Sequence, residues 1–556
     1  MNEYIVTCRS YEDLENLYDD METPGGSLYI PDRAVDLVHR RAISRNTHYM
    51  LTEEEAAEIR NDERVIACER LAKDRGIVPD YFWTQTNDFN KTTATFAGDD
   101  KNWGLYRVIE GNTVSNWGSD DTSEITNKNI VTTASGKNVD VVIVDGHVNP
   151  DHPEFAVNSD GSGGSRVNQF NWFQYKSALG YNSHPSTYTY SSSGASPNTN
   201  HGTHVAGTVA GNTQGWARDA NIYNMAFNDS LSGVTNWDEF LWDYLRHFHR
   251  NKSINSATGR RNPTITNHSW GYSYSNIPLS SITSVTYRGA TTTVSGTNAQ
   301  KKVTLEDNGV PVPENTYLYK TPARVAAVDA DIQDAIADGV IVISSAGNSY
   351  WNCDTSSGND YNNAINAGGN LYHSRGSTPG SADNVICIGS IGSKVAEYKS
   401  NFSNWGDRVD IWAPGSDIIS AVYDSSSATT ENNGAYTPII ADSRNSSYHL
   451  ASISGTSMSS PQVCGVIACL VEQEPFLTQA EALRHLKENA LTEVGTTGTI
   501  NHNSYEAFGN SHNRYLFMPK KRPDTGTLSP NFLHKNRNSN SAGVKYPRVR
   551  NNRVFK

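Results

Sequence analysis

The sequence predicts an α/β fold, an open parallel sheet flanked by helices, with a small α/β unit in front of it and a β insertion within it. Three observations carry that reading. Residues 138–144 form a near-continuous apolar run, the pattern of a strand buried on both faces of a parallel sheet. Comparable runs recur at 221–227, 264–268, 340–345, 385–391 and 409–412. Helical patterns lie between them, at 204–210, 237–249, 323–337 and 479–490. Strands that alternate with helices build a parallel sheet, and ligands are then expected beyond the carboxyl ends of its strands.

Residues 1–72 come first. A strand is expected at 4–8, and Leu14, Leu17 and Tyr18 sit at helical spacing within 11–21. A second strand is expected at 47–51. Thr52 then opens a helix with Glu55 three residues on, a capping box, and Ala56, Ala57 and Ile59 supply its apolar side. A further strand is expected at 64–71. This alternation in so short a stretch suggests a ferredoxin-like β/α sandwich. Residues 73–100 are polar, with Pro79, Asn87, Asn90 and a threonine run, and read as a linker.

A long α/β domain occupies 101–518. Within it, about 276–320 is rich in Thr, Ser, Gly and Val, with Asp307-Asn308-Gly309 as a hairpin signal, and reads as a small β insertion. Residues 424–448 read as a polar, loop-like insertion. The tail, 519–556, is rich in Asn, Ser and Pro. Its basic residues, from Lys520 and Arg522 to Arg553 and Lys556, face only Asp524 as counter-charge. It is expected to be disordered, or ordered on an assembly partner. No internal repeat is found.

Composition narrows the function classes. Among 556 residues, 59 acidic side chains outweigh 46 basic ones, for a formal charge of -13, which argues against nucleic acid as a partner. The six cysteines (Cys8, Cys68, Cys353, Cys387, Cys464, Cys469) are scattered, several in apolar runs. They read as buried core residues, not as a disulfide framework or metal cluster. The opening Met1-Asn2-Glu3-Tyr4-Ile5-Val6 shows no secretory signal, and no run of about 18 apolar residues suggests a membrane span. The expected compartment is the cytoplasm or the inside of an assembled particle.

The chemistry is expected around 452–472. A Gly/Ser-rich turn, Ser454-Gly455-Thr456-Ser457-Met458, runs into Val463, Val466, Ile467, Leu470 and Val471, spaced as on one buried face of a helix. Ser457 then sits at a helix N-terminus, where free N–H groups and the dipole stabilise negative charge. A serine hydroxyl needs a positioned base and a site for the oxyanion. Asp145 closes the strand Val141-Val142-Ile143-Val144, and His201 opens the small-residue helix start His201-Gly202-Thr203-His204. In that logic His201 takes the Ser457 proton, and Asp145 holds the imidazole tautomer. Asn348, after the strand at 340–345, can donate to the oxyanion. Each feature has an ordinary alternative taken alone. An Asp after a strand is more often a turn residue, Gly-Thr-Ser turns commonly cap helices, and His201 with His204 has the spacing of a zinc pair, although no third ligand stands out.

Together the motifs resemble the subtilisin-like serine proteases (subtilases, peptidase S8). The order Asp…His…Ser is the order of that family. Val144-Asp145 with His152-Pro153-Glu154-Phe155, Asn200-His201-Gly202-Thr203-His204-Val205-Ala206-Gly207-Thr208, Ser344-Ser345-Ala346-Gly347-Asn348 and Gly455-Thr456-Ser457-Met458-Ser459-Ser460-Pro461 each resemble a family motif. Asn401-Phe402-Ser403 and Ala413-Pro414-Gly415 also match its usual path, with no chemical role assigned. The resemblance implies a subtilisin-like sheet with Asp145, His201 and Ser457 as triad and Asn348 in the oxyanion hole. It implies that Ser269-Trp270-Gly271 is the edge strand that pairs with extended substrates. It also implies that residues 1–72 are a prosegment, with a processing site between about 71 and 100, and that Asn102-Trp103-Gly104-Leu105 resembles the start of a mature domain.

Two departures stand out. Asp145 is followed by Gly146-His147-Val148, where the family has Ser or Thr and then Gly. The segment Gly211-Asn212-Thr213-Gln214-Gly215 is short where many members carry a calcium-binding loop, so no cofactor is assigned and calcium ligands are left unnamed. The expected function is a serine endopeptidase acting through an acyl-enzyme, made as a self-processing zymogen. Its partners would be polypeptide substrates and its own prosegment as intramolecular inhibitor, with no nucleic acid and no membrane. The alternative is a structural or assembly protein, of a virus particle for instance, with the same fold as scaffold. Asp354 and Asp360 either floor a pocket for a basic P1 side chain or, more commonly for such loops, are solvated acids.

Overall fold

The computed structural model describes residues 1–30, 36–81, 103–110, 132, 134–191, 199–226, 232–393, 398–423, 439–492 and 508–518. Its centre is a seven-stranded sheet. The spatial order is Ile411–Pro414, Ile386–Ile391, Ile341–Ser345, Thr264–His268, Asp140–Asp145, Asn221–Ala226 and Val167–Asn168, with every neighbouring pair parallel. Asp140–Asp145 is the first of these strands in the chain. The next two are laid down on one side of it and the remaining four on the other. The order of winding therefore reverses at this strand, and an open α/β sheet forms its ligand crevice at such a reversal.

The apolar run builds this strand because both of its faces are covered. Every residue of Asp140–Asp145 is buried. Successive side chains point to opposite faces of a strand. Val141 and Ile143 join a core with Val205 and Val209 of the helix Thr199–Ala210 and with Val463 and Ile467 of the helix Thr456–Gln473. Val142 and Val144 join a second core with Leu241 and Leu245 of Trp237–Asn251 and with Val328 and Ile332 of Ala326–Ala337. All six cysteines are buried thiols.

Residues 1–70 form a separate antiparallel sheet in the order Asp36–Arg40, Asn46–Leu51, Asn2–Cys8 and Val65–Arg70. The helices Leu14–Glu22 and Glu53–Arg60 complete a β-α-β-β-α-β order. The Thr52 capping box is made: Glu55 N–H donates to Thr52 Oγ1 at 3.3 Å, and Thr52 N–H donates to Glu55 Oε2 at 2.7 Å. This unit docks on the outer face of Trp237–Asn251 and Ala326–Ala337 through polar groups. Arg45 pairs with Asp334 at 3.2 Å, Asn46 donates to Asp331 at 3.1 Å, and Tyr11 donates to Asp334 at 2.8 Å.

The structure corrects three expectations. Part of the linker is ordered: Ala72–Arg75 is a 3₁₀ turn and Ile77–Tyr81 a strand, antiparallel to Trp270–Tyr274. Pro79 is tolerated because Tyr272, opposite it, directs its own N–H to Thr378 and its carbonyl to Ala323, so no donor is required of residue 79. The insertion is mixed, not all β. Its helix Asn298–Asp307 is capped by Thr297 and Gln300, and Gly309, at φ 76°, ends that helix instead of turning a hairpin. The hairpin turn is Arg288-Gly289, with φ 48° and 85°, between Ser284–Tyr287 and Ala290–Thr293. Finally, Ile439–Ala441 in the second insertion is a strand beside His449–Ile453. Residues 424–438 and the basic tail lie outside the described residues.

Candidate active site

Asp145 stands at the carboxyl end of the strand where the winding reverses. It is fully buried, with its Oδ1 2.7 Å from His201 Nδ1 and 2.7 Å from the N–H of Gly146. Burial pushes the Asp145 pKa up, and the His201 imidazole opposes that shift. The turn that follows is held by Asn224, whose Nδ2 donates to the Gly146 carbonyl at 3.0 Å while its Oδ1 accepts from Val148 N–H at 3.1 Å. His201 lies in the first turn of Thr199–Ala210. Gly202 lets that turn close on Asp145, since a Cβ there would sit 2.4 Å from the Gly146 carbonyl oxygen. With Nδ1 donating to the carboxylate, Nε2 is the basic nitrogen of His201.

Ser457 reaches the same sheet end from another direction. Val144 and His268 are register partners, so Ser269 lies level with Asp145 on the neighbouring strand. Ser457 Oγ donates to the Ser269 carbonyl at 3.0 Å, and Ser269 Oγ donates back to the Ser457 carbonyl at 2.8 Å. The helices Thr199–Ala210 and Thr456–Gln473, which carry His201 and Ser457 in their first turns, pack directly on one another.

Asn348 completes the group. Its Oδ1 accepts from Thr456 N–H at 2.9 Å and from Thr456 Oγ1 at 2.7 Å, while Gly347 N–H donates to the same hydroxyl at 3.1 Å. That fixes the amide's orientation. Asn348 Nδ2 is buried with no hydrogen-bond partner among the described residues. An unsatisfied buried donor costs about 1–3 kcal/mol, and this one is open to an incoming acceptor. Thr456 thus belongs to the site. It lies inside the serine motif, but nothing in a single sequence shows that its hydroxyl bridges two segments.

Trp270 and Gly271 follow Ser269 along the crevice. They are paired with Tyr81 and Asp80, so the chain's own strand occupies this edge. His204 Nε2 donates to the carbonyls of Ile418 and Ala451 at 3.0 and 3.1 Å, and burial lowers its pKa to about 3. No group of three His, Cys, Asp or Glu suited to a metal occurs among the described residues. His147 is buried and accepts from Ser191 N–H through Nδ1 at 3.2 Å. Asp354 and Asp360 are buried, not solvated. Asp360 receives Arg288 of the insertion at 2.8 and 3.0 Å, and Asp354 accepts the Asp360 N–H at 2.8 Å. The short loop after Ala210 closes on Glu154, which accepts from Gln214 N–H at 3.0 Å and from Thr213 N–H at 3.1 Å and pairs with Arg444.

Fold and site together define a doubly wound α/β protein that gathers an Asp–His pair, a helix-borne serine and an asparagine amide at one sheet end. Residues 136–511 match the subtilase family (Peptidase_S8), and the chain belongs to that family. The alkaline proteinase of Hapsidospora chrysogena is 27% identical over 310 residues, which are 55% of this chain and 50% of that protein. Alkaline protease 1 of Emericella nidulans is 25% identical over 368 residues, 65% of this chain and 59% of that protein. The chain thus spans about half the length of these relatives. Among solved structures, a cold-adapted subtilisin-like serine proteinase superposes with a TM-score of 0.44 at 22% identity, covering 75% of this chain and 98% of that one. Fervidolysin from Fervidobacterium pennivorans gives 0.49 at 17% identity, covering 93% and 60%.

Proposed function

We propose that the chain is a serine endopeptidase that cleaves extended polypeptide segments. One observation carries this reading: the fixed Asn348 amide, with a donor otherwise unused, stands beside the helix start that bears Ser457. In the reaction Ser457 Oγ attacks the scissile carbonyl as His201 Nε2 takes its proton. The oxyanion is received by Asn348 Nδ2 and the Ser457 N–H. The C–N bond breaks as His201 returns the proton to the amine, and water releases the acyl group by the same steps. Asp145 holds the His201 tautomer and offsets the imidazolium charge. The reaction uses the chain's own groups throughout. The names of the alkaline proteinases, and of subtilisin-like protease 3 from Arthroderma benhamiae (36% identical over 138 residues), support the reading.

The chain acts first on itself in this reading. Residues 1–72 are the prosegment, and Ile77–Tyr81, just after it, lies along Trp270–Tyr274 as a substrate strand would. The test compares the unaltered chain with Ser457→Ala by intact mass and a fluorophosphonate probe. The expected result is loss of roughly the first 70 to 100 residues and probe uptake for the unaltered chain alone. If neither protein is cut or labelled, even with the N-terminal unit removed, the reading is wrong.

A further inference from the structure

We propose that Asn404 is a positioning residue for the oxyanion site, acting through the loop 346–351 that carries Asn348; this rests on the endopeptidase reading. Asn404 is 2% exposed and follows Phe402-Ser403, a stretch to which the reaction gives no part. Its side chain and backbone bracket Asn348 on both sides. Nδ2 donates to the Ala346 carbonyl at 2.8 Å, and its backbone N–H donates to the Gly347 carbonyl at 2.8 Å. Oδ1 accepts from Ser349 N–H at 3.1 Å and from Trp351 N–H at 2.9 Å. Two N–H groups on one side and a carbonyl on the other leave the amide a single orientation that satisfies all three.

The loop needs such a clamp. Gly347 and Tyr350 both have left-handed backbones, at φ 105° and 66°, and a tyrosine adopts that conformation only when its surroundings enforce it. The neighbours of Asn404 add to the enforcement. Tyr350 N–H donates to Phe402 at 3.1 Å, Trp405 Nε1 donates to the Tyr350 carbonyl at 2.8 Å, and Trp405 N–H donates to the Trp351 carbonyl at 3.0 Å. Thr456 orients the Asn348 amide, but only the 346–351 backbone sets where that amide stands. An oxyanion donor stabilises the transition state and not the bound substrate, so a displaced donor lowers kcat and leaves KM nearly alone.

The test measures kcat and KM on a peptide p-nitroanilide for the unaltered chain, Asn404→Ala, Asn404→Asp, Asn348→Ala and the double variant Asn348→Ala/Asn404→Ala. The Asp variant keeps the two acceptor bonds and sets an oxygen against the Ala346 carbonyl. Thermal unfolding of each protein is followed in parallel. Where a variant does not mature, the self-cleavage rate by intact mass measures the same chemistry. We expect both Asn404 variants to lose about 10- to 100-fold in kcat with KM changed less than about threefold. In the double variant, removing Asn404 should cost less than about threefold beyond Asn348→Ala alone. Equal losses with and without Asn348, an unchanged kcat, or failure of both Asn404 variants to fold would each overturn the proposal while the endopeptidase reading stands. An unaltered chain that neither cleaves peptides nor takes up the fluorophosphonate overturns both.

Discussion

Arg41 of the N-terminal unit lies between Asp243 and Asp331 of two different helices, 2.9 and 2.7 Å from their carboxylates, with all three side chains at most 1% exposed. The unit is therefore docked through desolvated charge. Removing one partner of a buried ion pair leaves an uncompensated charge, at a cost of about 3–5 kcal/mol. Arg41→Ala, made on Ser457→Ala to prevent cleavage, should lower the stability of the full chain by about 3 kcal/mol or more. Denaturant unfolding followed by tryptophan fluorescence measures this, and a loss under about 1 kcal/mol would show that the charges are solvated.

Glu239 gives the same interface a pH dependence. It is 2% exposed, and burial, followed by the charge of Asp238, raises its pKa from 4.5 to about 8 while Arg41 pulls it down. A carboxyl whose folded pKa exceeds its unfolded value binds a proton on folding. Its contribution is fully present below about pH 4.5 and is lost as the pH rises to about 8. Glu239→Gln on the Ser457→Ala background should match its parent in melting temperature near pH 4.5 and exceed it at pH 9. Equal melting temperatures at both values would contradict the assignment.

The proposed triad of Asp145, His201 and Ser457 makes a graded prediction. Asp145→Asn keeps the shape of the side chain but lets His201 take the wrong tautomer, and about 10³–10⁴ in kcat should be lost at neutral pH. Asn348→Ala should lose about 10²–10³ with little change in KM. Steady-state kinetics separate the two effects.

Glu154 is buried against Arg444, and the loop 211–215 closes on its carboxylate. Arg444→Ala should destabilise the chain by about 3 kcal/mol. Adding Glu154→Gln should restore part of that loss, because one of the two stranded charges is gone while Asp442, which Arg444 also pairs at 2.6 Å, keeps the other. Urea unfolding of the single and double variants tests it. A double variant less stable than Arg444→Ala would show that the carboxylate matters through the loop hydrogen bonds and not through charge.

The sheet, and the strand end and helix starts that carry Asp145, His201 and Ser457, are legible because each writes a local pattern. The run ending in Asp145 is apolar since both faces are covered, and small residues such as Gly202 mark where a helix start must approach a turn. What was missed depends on distant partners. Ile77–Tyr81 is a strand only because Trp270–Tyr274 offers it an edge, and its own residues look like linker. Thr297 and Gln300 cap a helix in a stretch whose threonines favoured strands, and Gly309 reads alike at a hairpin and at a helix end. Asn404 and Thr456 act through bonds to backbone that folding alone brings near, so neither carries a periodic signal.

The pairing of Ile77–Tyr81 along Trp270–Tyr274 is intramolecular, and that sets how the cleft would open. A ligand tethered by a short connection competes as though present at millimolar concentration. Cutting the tether leaves the same strand and the same hydrogen bonds, but the released piece then competes only at its bulk concentration. Cleavage alone therefore does not free the cleft in a concentrated sample; dilution or destruction of the fragment does. If the chain cleaves itself as proposed, activity should lag behind the cut, and dilution after the cut should shorten the lag.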